Sequence, residues 1–268
     1  MTRALVLTFD NLGEASELER GTWPAGEPLG RHPSVLQVLP RLLDELDEHG
    51  LTATFFVEAI NCELYPDALR EIAARGHELG DHGWRHEPWA SLPPACEREL
   101  LERSTDAFAQ LGIEIGAFRP PGGELTARTE GWLRDLGYTW CSPAGSGVRA
   151  GDGLALVPFD WELVDAYHLM ESFAGVRARR GDRAEAMRPE AVAERLSRAL
   201  SGGEPAQPLT AGGAVQTLIL HPFLMLDEEW FQGVRRLLAQ LAGLARESRA
   251  WVVPGGRFAA WFGGVARE

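Results

Sequence analysis

His82 and His86 stand four residues apart in the segment Gly80-Asp81-His82-Gly83-Trp84-Arg85-His86. If a helical turn follows His82, both lie on one face, and two neutral imidazoles so placed can hold one divalent cation. Such a cation needs a third donor from elsewhere in the chain. Other chemistry-bearing residues each close an apolar run: Asp10-Asn11, Arg119, Asp160-Trp161 and His221-Pro222. Core packing does not account for so many titratable endings, whereas one shared rim does. There, Asn11 or Asp10 can add an oxygen donor to the two imidazoles. Asp10 can accept a proton from water, and His221 can protonate a departing nitrogen or oxygen. Arg119 would keep Asp10 ionised and aligned, and Asp160 would orient His221 or pair with Arg119. The chemistry is metal-assisted hydrolysis of an amide or ester.

The elements that must carry these residues alternate. Strand-like runs at Ala4–Phe9, Leu51–Glu58, His77–Asp81, Ile113–Arg119, Tyr138–Cys141, Leu154–Phe159, Val215–Leu220 and Trp251–Val253 are separated by helical patterns. Those helices cover Val35–His49 (capped by Ser34, stopped by Gly50), Pro66–Arg75, Pro94–Leu111, Thr126–Leu136, Pro189–Leu200, Asp227–Arg246 and a closing turn at Arg257–Phe262. The alternation predicts a parallel sheet with helical crossovers. About seven units predict a barrel, complete or not, with its chemistry at the carboxyl ends of the strands. Leu12–Pro33 reads as a long loop of lid type, and Ser201–Gly213 as a Gly/Pro loop. Asp160–Met170 stays ambiguous. Arg177–Arg183 reads as a basic, flexible, solvated loop, or else as a contact for an anionic group. There is no internal repeat and no linker, so residues 1–268 are expected to form a single domain.

A formal charge of −13 argues against nucleic acid or an anionic membrane as partner. No apolar stretch is long enough to span a bilayer. Cys62, Cys96 and Cys141 lie far apart and read as reduced thiols. The run from Ala4 has no leader-type cleavage pattern before it, which gives the cytoplasm as the expected compartment. A homo-oligomer is compatible with all of this.

In chain order, Thr8-Phe9-Asp10-Asn11, His82-Gly83-Trp84-Arg85-His86, Arg119-Pro120-Pro121-Gly122-Gly123, Asp160-Trp161 and Leu218-Ile219-Leu220-His221-Pro222 resemble the motifs of the polysaccharide deacetylase family. This is the NodB-homology group, carbohydrate esterase family four. Ala53–Val57 and Gly76–Gly80 are similar to its second and third strands. The resemblance implies an α/β fold, a distorted (β/α)7 barrel with a parallel sheet. It also implies a divalent cation, zinc first, with cobalt, nickel or manganese as alternatives. The implied ligands are Asn11, His82 and His86; the implied base is Asp10, held by Arg119, and the acid is His221. Asp160 falls on the aspartate that tunes this histidine, with Asp165 as competitor, and Trp161 on the acyl pocket. Pro120, Pro121, Gly122 and Gly123 fall on the substrate rim, and Trp23 is a further candidate for substrate contact.

Two departures stand out. Asn11 replaces the family's ligand aspartate, which should weaken metal binding while leaving the cation more electrophilic. Alternatively Asp10 ligates, and Glu14 or Asp81 is the base. Gly122 stands where an aromatic residue is usual. The long first loop and the insertion Glu171–Gly213 resemble lidded branches of the family. The expected substrate is therefore a small N-acyl compound, such as an acetylated or formylated amino sugar, before a long glycan. Ring opening of a cyclic amide, as in allantoinase-like members, and a non-catalytic ligand-binding relative are the rival expectations. Of the other residues, His77 is read as strand support and His49 as a helix end. His32 is read as an exposed loop residue before one that faces the site from the lid, and Trp84 and Trp89 as packing.

Overall fold

The computed structural model describes residues 3–202 and 214–265. Its centre is β1 (Arg3–Asp10), whose side chains are nearly all buried on both faces, as a strand covered on both sides requires. Alternation divides them. Leu5, Leu7 and Phe9 join Phe55 and Val57 in the larger core, whereas Ala4 and Val6 join Phe56, Trp140, Val253 and Phe258 on the inner face. Thr8 and Asp10 continue that inner row, so the period of two aims Asp10 inward.

β8 (Ala214–Leu220) lies parallel along one edge of β1. The other edge is shared, with β9 (Trp251–Val253) against Ala4–Val6 and β2 (Thr54–Val57) against Thr8–Asp10. Beyond β2 follow β3 (Glu78–Asp81), β4 (Ala117–Phe118), β5 (Trp140–Cys141) and β7 (Leu154–Leu156), all parallel. β6 (Arg149–Gly151) adds an antiparallel edge that hydrophobic pattern alone did not reveal. Single bridges, Ala144 to Phe159 and Val164 to Ile219, return the rim from β7 to β8. The sheet is thus curled into a half-barrel, the distorted barrel the sequence implied.

Amphipathic helices cover the outside. α2 (Leu39–His49) buries Leu39, Leu42, Leu43 and Leu46 and ends at Gly50, whose φ of 63° closes the last turn. α10 (Glu228–Arg246) buries Trp230, Val234, Leu237, Leu238 and Leu241, and Asp227 caps it by accepting from the backbone N–H of Glu229 and Trp230. α4 (Pro66–Ala74), α5 (Pro94–Gln110), α6 (Thr129–Asp135) and α9 (Pro189–Gly202) complete the crossovers, with α3 (Asn61–Leu64) leading into α4. α11 (Gly255–Val265) plugs the amino-terminal end of the curl.

Three expectations change. Ser34 does not cap α2; it sits inside a widened turn, Ser34–Val38, and its hydroxyl contacts His32 and Gly13. The first loop contains α1 (Ala15–Arg20). The ambiguous Asp160–Met170 contains α7 (Asp165–Leu169), and the basic stretch is only partly a solvated loop: α8 (Ala174–Arg180) takes in its first half and buries Arg177, while residues 178–181 and Arg183 are exposed. Of the expected Ser201–Gly213 loop, residues 203–213 lie outside the described residues.

Candidate active site

Arg119 leaves β4 fully buried, and both its terminal nitrogens are engaged inside the protein, while Nε has no hydrogen-bond partner among the described residues. Its Nη1 donates to Asp10 Oδ1 at 2.5 Å and to Thr8 Oγ1 at 2.8 Å, and its Nη2 donates to Ser142 Oγ at 2.9 Å. The guanidinium also lies 4.2 Å above the Phe56 ring. Asp10 is only 4% exposed, so a carboxylate there needs this cation and its hydrogen bonds. Oδ1 is engaged, while Oδ2 has no protein hydrogen-bond partner among the described residues.

The next residue turns the chain. Asn11 has φ 61°, and its N–H reaches Phe56 O at 3.2 Å. Asn11 Oδ1 is buried without a hydrogen-bond partner among the described residues, which is costly for a polar oxygen unless something else occupies it. His82 Nδ1 lies 2.7 Å from Arg119 O. A carbonyl only accepts, so Nδ1 carries the proton and the Nε2 lone pair stays free. The His86 ring stands 5.0 Å from that of His82, at 75°.

The pair is not built on a helix. Gly83 (φ 77°) and His86 (φ 71°) both have left-handed backbone, and the turn between them brings the rings together. Glu87 holds this turn by accepting from the N–H groups of Trp84 and Arg85. Burial pushes His82 down to about 3 and His86 well below its ordinary value, with the neighbouring His82 charge adding to the latter. Both are neutral at pH 7, the form in which imidazole ligates metal. An unpaired amide oxygen and two neutral imidazoles on one wall form a donor set suited to a divalent cation such as zinc. No group of three His, Cys, Asp or Glu able to hold a metal occurs among the described residues; the oxygen that joins the two imidazoles in this cavity belongs to an amide.

His221, just after β8, is held by Asp165. Its Nδ1 lies 2.5 Å from Asp165 Oδ1, and its backbone N–H donates to Oδ2 at 2.9 Å. Trp230 Nε1 also donates to Oδ2, at 3.3 Å. Burial opposes charging of His221, but the charge and hydrogen bond of Asp165, with Asp10 beyond, raise its pKa above the ordinary value. Asp160 neither orients His221 nor pairs with Arg119. It is exposed enough to pair with Arg180 at 3.0 Å and accepts from Glu162 N. The four residues between Asp160 and Asp165 are enough to turn one carboxylate outward and bury the other.

Asp10, Asn11, His82, His86, Arg119 and His221 all line one cavity of about 380 Å³. Pro120, Gly122, Gly123 and Trp161 line it as well. Pro121 does not; it packs beneath Gly83. Gly123, at φ 84°, leaves no room for a Cβ, which would come within 2.9 Å of Ala144 and 3.0 Å of the Phe159 ring. Phe159, Trp161, Val164, Phe173, Ile219 and Phe223 give the lining its apolar part. Ser16, Glu17, Arg20, Thr22 and His32 give it further polar groups.

Trp23 does not reach the cavity. Its indole N–H bonds Glu27 O, and its ring backs His32 at 5.8 Å. His32, expected to be exposed, is buried. The alternative bases are occupied elsewhere: Glu14 accepts from Gly30 N and the Tyr65 hydroxyl, and Asp81 from the Tyr138 hydroxyl. Neither lines the cavity. His77, Trp84 and Trp89 pack within the fold, as read from sequence.

Comparison with known proteins adds the lineage. The model of the polysaccharide deacetylase family matches residues 2–141. The chain belongs to that family. Among curated members, it is 29% identical over 104 residues to a peptidoglycan-N-acetylglucosamine deacetylase of Bacillus cereus, covering 38% of each chain. It is 35% identical over 115 residues to chitin deacetylase 1 of Saccharomyces cerevisiae, covering 41% of this chain and 34% of that one. A peptidoglycan deacetylase of Helicobacter pylori is 30% identical over 134 residues, 47% of this chain and 46% of the relative. The chain thus matches less than half the length of each of these relatives. A Mycobacterium smegmatis protein, whose crystal structure is described as that of a candidate polysaccharide deacetylase, superposes with a TM-score of 0.78 at 27% identity, over 97% of this chain and 89% of the other. An allantoinase superposes with a TM-score of 0.66 at 16% identity, over 96% and 89%, and shares the fold.

Proposed function

We propose that this chain is a metal-dependent hydrolase that removes an acetyl or formyl group from a small N-acylated substrate, with an amino sugar as first choice. One observation carries this reading: a single cavity contains the Arg119-held carboxylate, the donor set Asn11, His82 and His86, and the carboxylate-backed His221. Asn11 Oδ1 and the imidazoles of His82 and His86 would hold the cation, zinc first, then cobalt, nickel or manganese. Such a cation supplies Lewis acidity, polarising a carbonyl and making water nucleophilic at neutral pH.

The remaining work belongs to the chain. Asp10 takes the proton of the attacking water on Oδ2 while Arg119 fixes Oδ1. His221 delivers a proton from Nε2 to the departing nitrogen, with Asp165 stabilising the imidazolium form. Trp161, Phe159 and Phe223 exclude water around the acyl group. A volume of about 380 Å³ is near the lower end of small-molecule sites, roughly 300–1,000 Å³, and suits a single ring. A cyclic amide presents the same scissile bond at the same size.

Protein supplied with zinc or cobalt should release acetate or formate from N-acylated sugars and lose that activity on chelation. Asp10→Asn should abolish turnover with metal content near normal. Asn11→Asp should tighten metal binding by about tenfold or more, because a carboxylate replaces a neutral amide. Turnover confined to cyclic ureides would move the reading to ring opening. A site that binds no metal under excess zinc or cobalt would make the chain a non-catalytic relative.

A further inference from the structure

The polar wall of the cavity has a purpose that the reaction above leaves unused. We infer that Arg20 forms an anion subsite, receiving a carboxylate that the substrate carries beside its acyl amide. This rests on the hydrolase reading and narrows its substrate class. Two arginines line the cavity, and Arg119 is consumed by Asp10, Thr8 and Ser142. Arg20 stands exposed at the end of α1 and has neither an ion pair nor a side-chain hydrogen bond among the described residues. Neither carboxylate on its own helix pairs with Arg20, although Glu17 lines the same cavity. Glu19 pairs with Arg85 at 3.2 Å. Glu17 Oε2 is buried and faces His32 Nε2 at 3.4 Å. His32 Nδ1 accepts from Ser34 N, so Nε2 carries the hydrogen toward Glu17.

Ser16 and Thr22 add hydroxyls to the same wall. Trp161, Phe159 and Phe173 in the same lining offer no charge. A substrate whose apolar acyl end packs on these rings can offer an acidic end to Arg20. Guanidinium binds carboxylate through paired, charge-assisted hydrogen bonds. The class is therefore N-acyl compounds with a free carboxylate, such as acidic amino sugars or N-acyl amino acids.

Two matched pairs test this on the metal-loaded enzyme: N-acetylmuramic acid against N-acetylglucosamine, and an N-acetyl amino acid against its carboxamide. The wild type should favour the acid in at least one pair. Arg20→Gln should lose about tenfold or more in kcat/KM on that acid, with little change on its neutral partner, and Arg20→Lys should recover part of the loss. No preference in either pair, or a preference untouched by Arg20→Gln, overturns the subsite and leaves the hydrolase reading standing. If none of the four is turned over, the hydrolase reading fails on these substrates. Calorimetric binding of the same compounds then decides: acid-selective binding lost in Arg20→Gln keeps the subsite, and its absence overturns it.

Discussion

His221 is a proton donor only while Nε2 is protonated, and its neighbours determine the pH to which this lasts. Burial alone would discharge it; Asp165 and Asp10 more than compensate, so its pKa is raised. For a histidine raised on folding, the stabilisation is complete below the unfolded pKa, about 6.5. It is lost as pH rises through the higher folded value. Catalysis by the protonated form follows the same direction. Asp165→Asn should therefore move the alkaline limb of the kcat/KM profile to lower pH and cut kcat by ~10²-fold or more. Asp160→Asn is the matched control. Its pair with Arg180 is solvent-exposed, so the limb should stay in place and stability should change by under about 1 kcal/mol. If the two variants behave alike, Asp165 does not act through His221. Arg119→Met tests the other side of the cavity. It strands Asp10, 4% exposed, without its cation, and should cost ~3–5 kcal/mol in denaturant unfolding.

The turn after β1 sets the aim of Asp10 and Asn11, and residues from the next crossover hold it. Glu58 Oε2 accepts from Leu12 N at 3.3 Å, while Asn61 Nδ2 donates to Leu12 O at 3.0 Å. This clamp fixes the peptide just beyond the left-handed Asn11. Burial, with the nearby charges of Asp10 and Glu87 contributing, pushes Glu58 up to about 8. An acid raised on folding stabilises fully below its unfolded value, and that contribution is lost as pH climbs through about 8. Glu58→Gln keeps the acceptor and removes the titration. Its melting temperature should thus gain on the wild type between pH 5 and 8, and a constant difference across that window would refute the assignment.

Much of this element level was legible in sequence. Apolar runs ending in Asp10-Asn11, Arg119 and His221 marked both strands and rim, because a parallel strand is buried until its carboxyl end. The positive φ values at Asn11 and His86 were not legible. The supposed helical spacing of His82 and His86 gave the correct pair for the wrong local reason. The choice between Asp160 and Asp165 is open in sequence because it depends on contacts with His221 and Trp230, far away in the chain, and the packing of Trp23 behind His32 depends on how the first loop folds on itself.

At the scale of the whole molecule, the excursion between β7 and α9 decides what the cavity admits. It contributes Trp161, Val164, Ala166, Met170, Ser172 and Phe173 to the wall, yet it adds little to the sheet beyond single bridges at Phe159 and Val164. Its order comes from Arg177, which sequence pattern assigned to a solvated loop. The buried guanidinium donates to Tyr167 O at 2.5 Å, Met170 O at 2.8 Å and Ala184 O at 2.6 Å. It thus ties the end of α7 to the loop that follows α8. Arg177→Met keeps most of the apolar stem and removes every one of these donors. Losing them should cost ~2–4 kcal/mol, felt first in residues 165–187 because the strands do not depend on them. Hydrogen exchange should quicken across that segment while β1 and β8 keep their protection. KM should rise several-fold, with kcat falling less, since Asp10 and Arg119 are anchored in the sheet. Uniform loss of protection over the whole chain would show instead that the excursion is part of the global folding unit, and that the apolar wall cannot loosen without the barrel.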